Sequence, residues 1–90
     1  MIIDFHTHIF PPSFVGRREE LSNRDATFSS LYSGPRSRMA TADELVAAMD
    51  NAGVDVAVVM GIGWTDRETA SEANSYIIEA ASRFPGRLVG

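Results

Sequence analysis

The stretch "VDVAVVMGIG", residues 54–63, holds five apolar side chains in unbroken succession, Val56 to Met60. A strand with one wet face alternates apolar and polar positions, whereas a continuous run is the pattern of a parallel strand covered on both faces. The flanks agree with that reading. Upstream, "TADELVAAMDNAG" (41–53) has the marks of a helix: Thr41 and Glu44 form a capping box, Leu45, Ala48, Met49 and Ala52 make an apolar stripe, and Gly53 suits a left-handed stop. Downstream, a second helix is expected from about Asp66 to Arg83, with Thr65 and Glu68 as another capping box. Its stripe is Ala70, Ala73, Ile77, Ala81 and Phe84. Asn74 falls on that stripe and is expected to be buried, with its amide bonded to backbone. "FPGR" then turns the chain, and "RLVG" opens a third strand.

Further upstream, "IIDFHTHIF" (2–10) alternates. Ile3, Phe5, Thr7 and Ile9 are expected on one face, with Asp4, His6 and His8 on the other. Pro11 and Pro12 end this strand, because neither can donate to a ladder. Residues 11–40 form a long connection rich in Ser, Arg, Pro and Gly. "SFVGRREELSN" (13–23) can be helical behind Pro12, and "ATFSSLYSGPRSR" (26–38) reads as irregular. So long a connection inside a compact domain is usually a lid or binding loop. Strand, long loop, helix, strand, helix, strand is the order of an α/β fold with a parallel sheet. Two and a half parallel strands would leave unpaired edges and an open face. The sequence therefore reads as the front part of a larger single domain, with the third strand broken off at its start.

Composition narrows the function. Ninety residues, 44% apolar and 22% charged, make an ordinary soluble domain. A net charge of −4 argues against nucleic acid or an anionic membrane as partner. With no cysteine, disulfides and thiolate metal sites are excluded, and with no lysine so are Schiff-base chemistry and a lysine metal bridge. No apolar run approaches the ~18 residues of a spanning helix. No basic segment precedes an apolar one as in a secretory signal, so a cytoplasmic location is the default expectation.

Both histidines of the chain, His6 and His8, lie in the first strand. At i and i+2 on a strand their Cα atoms are roughly 6.5–7 Å apart on one face, close enough for two imidazoles to converge on one cation. A bare His-x-His is a weak signal, shared with paired surface or core histidines. Its position at the carboxyl end of a first strand, before a long loop, is where parallel α/β folds build their sites. Asp4 adds a third polar group to the same expected face. Trp64, in "GIGWTD", either lines a substrate pocket at this sheet end or caps a core, and Asp66 is expected to cap the helix. "GIG" is no dinucleotide fingerprint, since the third glycine of that motif is Asp66 here. The loop carries Arg17, Arg18, Arg24, Arg36 and Arg38 against Glu19, Glu20 and Asp25. If it folds over the histidines, one arginine is a candidate to hold a substrate carboxylate, against the plainer reading of solvated surface charge. Phe28, Leu31 and Tyr32 would pack the lid or anchor the loop.

"IIDFHTHIFPP" resembles the first strand of the amidohydrolase superfamily, in particular the amidohydrolase-related branch that includes aminocarboxymuconate-semialdehyde decarboxylase-like enzymes. "LVAAMDNAGVDVAVVMGIGW" and "NSYIIEAASRFPGRLVG" resemble that branch's following segments, while residues 13–40 match loosely. The resemblance implies a (β/α)8 TIM barrel, of which residues 1–90 would supply the first strands and helices, ending at the start of strand 3. It implies a divalent ion, zinc foremost, held by His6 and His8, with Asp4 in a supporting or structural position. It also implies hydrolysis of a C–N or C–O bond, or decarboxylation, of a small-molecule substrate, a carboxylate among the candidates. The family's later ligands and proton-transfer histidine have no counterpart in these residues, so the chain alone is expected to be inactive. A homo-oligomer is compatible with this reading. The alternatives are a polynuclear-metal phosphoesterase, an inactive fragment or non-catalytic module, and a plain structural βαβ piece.

Overall fold

A computed structural model describes residues 1–32 and 39–90. Among them the chain forms β1 (Ile3–His8), α1 (Pro12–Val15), α2 (Arg18–Arg24), α3 (Ala26–Tyr32), α4 (Ala42–Ala52), β2 (Val56–Met60), α5 (Arg67–Arg83) and β3 (Leu88–Val89). The strands form one sheet in the order β1-β2-β3, both pairings parallel. This confirms the α/β reading but corrects the barrel. The structure is an open three-stranded parallel sheet with five helices, and it gives no evidence of a barrel segment. Among the described residues the sheet has no further strand, and β1 and β3 form its edges.

The helix signals translate directly at α4. The Glu44 N–H donates to Thr41 Oγ1 at 3.3 Å, and the Thr41 N–H donates to Glu44 Oε1 at 3.0 Å. Gly53 stops the helix at φ 73°, in the left-handed region that costs a glycine nothing. α5 starts one residue later than its expected capping box: the cap is Asp66, which accepts from the Thr69 N–H at 3.0 Å and from the Thr69 hydroxyl. Its buried line is Thr69, Ala73, Ile77 and Ala80. Asn74 is exposed, contrary to expectation, because the buried line runs through Ala73 on its neighbouring side.

Two apolar clusters result. One lies between the sheet and helices α4 and α5, built from Ile9, Ala42, Met49, Ala57, Val59, Ile77, Ala80 and Leu88. The other gathers Phe10, Phe14, Leu21, Phe28, Met39, Ile62 and Ala73, with Tyr32 and Trp64 against it. β2 serves the first cluster with only one face. Ala57 and Val59 are buried, while Val56, Val58 and Met60 are half-buried, so the expected cover on both faces is absent among the described residues.

The expected irregular loop also differs. Residues 26–32 form α3, and with α1 and α2 they make a helical cap over the second cluster. Asp25 starts α3 by accepting the Phe28 N–H at 3.1 Å, a cap that overrides the weak helix propensity of "ATFSSLY". Among the described residues no helix is long and apolar enough to cross a membrane.

Candidate metal centre

β1 carries one more residue than its partner. Asp4 pairs with Ala57 and Thr7 with Val59, so Phe5 and His6 together face the single position of Val58. The extra residue breaks the expected alternation. Thr7 and Ile9 are buried, yet Ile3 is 40% and Phe5 70% exposed. In-register partners in a parallel pair share a face. Asp4 therefore sides with Ala57, and His8 with Met60, which lies on the opposite face of β2. Asp4 is thus separated from His8, and the expected row of three polar groups does not form. The Asp4 carboxylate accepts the His6 backbone N–H at 3.1 Å, which secures the turn of chain at the bulge.

The two imidazoles remain together. Their ring centroids are 5.0 Å apart, with ring planes at 85°. His8 Nδ1 lies 3.1 Å from the carbonyl oxygen of Met60. A carbonyl can only accept, so Nδ1 carries the proton and Nε2 of the neutral ring presents its lone pair. Carbonyl partners of this kind are what fix the tautomer and orientation of metal-binding histidines. Two imidazoles bound through nitrogen to one tetrahedral zinc at about 2.0–2.1 Å would have centroids about 5 Å apart. The observed separation matches. His6 is exposed and His8 half-buried, so an ion can reach both from solvent.

The two imidazoles are donors of a type zinc accepts, and their ring separation is compatible with one shared ion as well as with an ordinary edge contact. Among the described residues no group of three His, Cys, Asp or Glu side chains could hold a metal. Catalytic zinc usually has three protein ligands, so any further donor lies outside this pair.

The structure places the other candidates elsewhere. Trp64 stacks on Phe28 at 5.4 Å and 10°, and makes edge contacts with Phe10 at 6.1 Å and Phe14 at 5.6 Å. Its half-buried ring thus packs against the second apolar cluster. Arg17 is paired with Glu20 at 2.9 Å and Glu72 at 3.3 Å; Arg24 reaches Asp66 at 3.2 Å and Glu68 at 3.4 Å. Both arginines link the α2 segment to α5 and its cap. Arg36 and Arg38 lie outside the described residues.

Among the described residues Asp25 is the charged side chain that is buried, and the sequence presented it only as a loop charge. It is 1% exposed. Its carboxylate accepts the N–H groups of Thr65 and Asp66, each at 2.7 Å, and of Phe28 at 3.1 Å. Burial disfavours its charge, but the N–H groups of Asp66, Phe28 and Thr65 outweigh that and hold its pKa below the usual carboxylate value. The available signal was local: an Asp directly before "ATF" is a helix-cap position. Its long-range partners 40 and 41 residues away left no trace in spacing.

Comparison with known proteins gives no match: no family model, no curated protein and no solved structure aligns with the chain.

Proposed function

We propose that His6 and His8 are two ligands of a divalent ion, with zinc the leading candidate, in a metal-dependent hydrolase or decarboxylase of the amidohydrolase-related type. The observation that carries this reading is the paired geometry: ring centroids 5.0 Å apart, with His8 held in the Nδ1–H tautomer by the Met60 carbonyl. When bound, such an ion polarises a carbonyl and lowers the pKa of a coordinated water towards about 7. The chain's own part is to orient the His8 ring from β2 and to fix the β1 bulge through Asp4. The reading puts the protein in the cytoplasm, acting on a small-molecule substrate.

A non-catalytic metal-holding module is the second reading, favoured by the presence of only two donors among the described residues. Long-range proton–nitrogen NMR of the imidazoles during zinc titration tests the shared premise. His8 Nε2 should shift as a metal ligand while Nδ1 stays protonated. An unperturbed His8 Nε2 at saturating zinc would remove both readings. Assays of zinc-loaded protein on amide, ester and phosphate-ester substrates then separate hydrolase, phosphoesterase and inert module.

A further inference from the structure

The strand order β1-β2-β3, with both pairings parallel, means that each crossover advances in the same direction. Crossovers of one hand then set their helices on one side of the sheet. Met49 of α4 and Ile77 and Ala80 of α5 accordingly pack with Ala57, Val59 and Leu88. The opposite face keeps large apolar side chains in solvent. Register assigns it Ile3 with Val56, His8 with Met60 and Val89 with Val58, and Phe5 and His6 stand opposite Val58 at the bulge. Phe5 is 70% exposed, Val89 48% and Ile3 40%. The one acid within the strands, Asp4, pairs with Ala57 on the covered side. The strands thus offer solvent an apolar face whose ionisable groups are two imidazoles.

We propose that this face meets the same face of a second copy of the chain across a two-fold axis, where one zinc ion takes His6 and His8 from both copies. The proposal rests on the reading of His6 and His8 as metal ligands, in its non-catalytic form. Ligand number points to a second copy. A closed zinc site takes four ligands in a tetrahedron. Each chain offers two imidazoles, and among the described residues no third His, Cys, Asp or Glu joins them. An isologous contact doubles the set with no further residue type. The spacing agrees: sheets stacked face to face lie about 10 Å apart. Each imidazole then has about 5 Å to cover, within its reach once a zinc–nitrogen bond of about 2.0–2.1 Å is added. Charge agrees as well. The chain carries −4, so copies repel over most orientations, whereas this face has no acid to set against itself and holds the aromatic and methionine side chains typical of interface cores. Area makes zinc a requirement. Three strands about 4.8 Å apart, with the six residues of β1 at about 3.3 Å each, span roughly 300 Å². A stable interface buries about 800 Å² on each partner, so apolar contact alone does not hold the pair.

Sedimentation equilibrium of the full chain, with zinc chloride titrated in and then removed by chelator, tests this. The mass should double at one zinc per two chains and return to that of the monomer with chelator. His6→Ala and His8→Ala should each stay monomeric in zinc. Phe5→Gln removes an exposed ring and no ligand, and should raise the dissociation constant of the zinc dimer at least tenfold. A zinc-bound monomer whose His8 Nε2 shifts in NMR would overturn the dimer and leave the metal reading standing. No shift at His8 would remove both. A dimer that survives chelator, carries one zinc per chain or forms in the double alanine variant would overturn the shared ion. An undiminished zinc dimer in Phe5→Gln would take the contact off this face and overturn the proposal.

Discussion

His6→Ala removes one of two imidazoles from the candidate centre and little else, since His6 is exposed and its backbone N–H, the group that Asp4 binds, remains. The apo stability should therefore change by less than about 0.5 kcal/mol, as for surface substitutions in general. The effect on zinc should be large. Even the loss of a residue that only supports a metal ligand costs 10–100-fold in affinity, so loss of a ligand from a pair should exceed about 100-fold. That is more than about 2.7 kcal/mol of binding free energy. With zinc at 100 times its dissociation constant, ligand linkage stabilises the wild-type fold by about 2.7 kcal/mol. A chain of this size gains roughly 4–8 °C in Tm per kcal/mol, so the zinc-induced shift should be about 10 °C or more. His6→Ala should lose nearly all of it. His8→Ala should do the same and cost a further ~1 kcal/mol without zinc, because its bond to the Met60 carbonyl goes too. Thermal melts followed by circular dichroism, with and without zinc, measure every term. An equal zinc shift in the wild type and in the double alanine variant would refute the reasoning, because the ion would then bind elsewhere.

Three further outcomes follow from the fold. Asp25 has a depressed pKa in the folded chain, so its contribution is fully present above its unfolded value of about 3.9 and is lost as pH falls through the lower folded value. Urea midpoints measured from pH 6 to pH 2.5 should fall at the acid end, with Asp66, capped on Thr69 and beside Arg24, contributing in the same direction; Asp25→Asn should flatten part of that fall. Thr41→Ala breaks the capping box of α4 and should cost about 0.5–2 kcal/mol in urea denaturation, with Thr41→Ser restoring most of it. Phe28→Ala empties a fully buried site stacked on Trp64 and should cost about 3–5 kcal/mol, with the loss concentrated in the tryptophan fluorescence transition.

Local signals in the sequence were legible wherever the cause was also local. The capping box at Thr41 and Glu44, the left-handed stop at Gly53 and the run from Val56 to Met60 each act within a few residues, and each is present in the structure. The bulge in β1 was not legible. One extra residue between Asp4 and Thr7 leaves the apolar and polar letters unchanged while moving Asp4 away from the side of His8. The helix at Ala26–Tyr32 is not legible because its sequence is rich in Ser, Thr and aromatics, and what starts it is a carboxylate whose other partners lie at Thr65 and Asp66. The exposure of Asn74 is not legible either, because Ala70, Ala73 and Ala81 define a broad stripe whose centre small residues do not fix. The barrel rests on resemblance alone, whereas the parallel α/β sheet follows from the order of elements. At the candidate centre, the closeness of His6 and His8 was legible from their spacing. The Met60 carbonyl that sets the His8 tautomer was not, because it depends on register across two strands.

The division of the interior into two clusters bears on how the chain can vary. Side chains such as Leu88 and Ala80 pack in one compartment, and Phe14 and Leu21 in another. A swap in either is absorbed by its own neighbours, since well-separated sites combine additively. The helices of residues 12–32 share their compartment with the body: Phe14, Leu21 and Phe28 pack with Phe10, Ile62 and Ala73 and against Trp64, so a substitution in these helices is felt at the residues that follow β1 and β2.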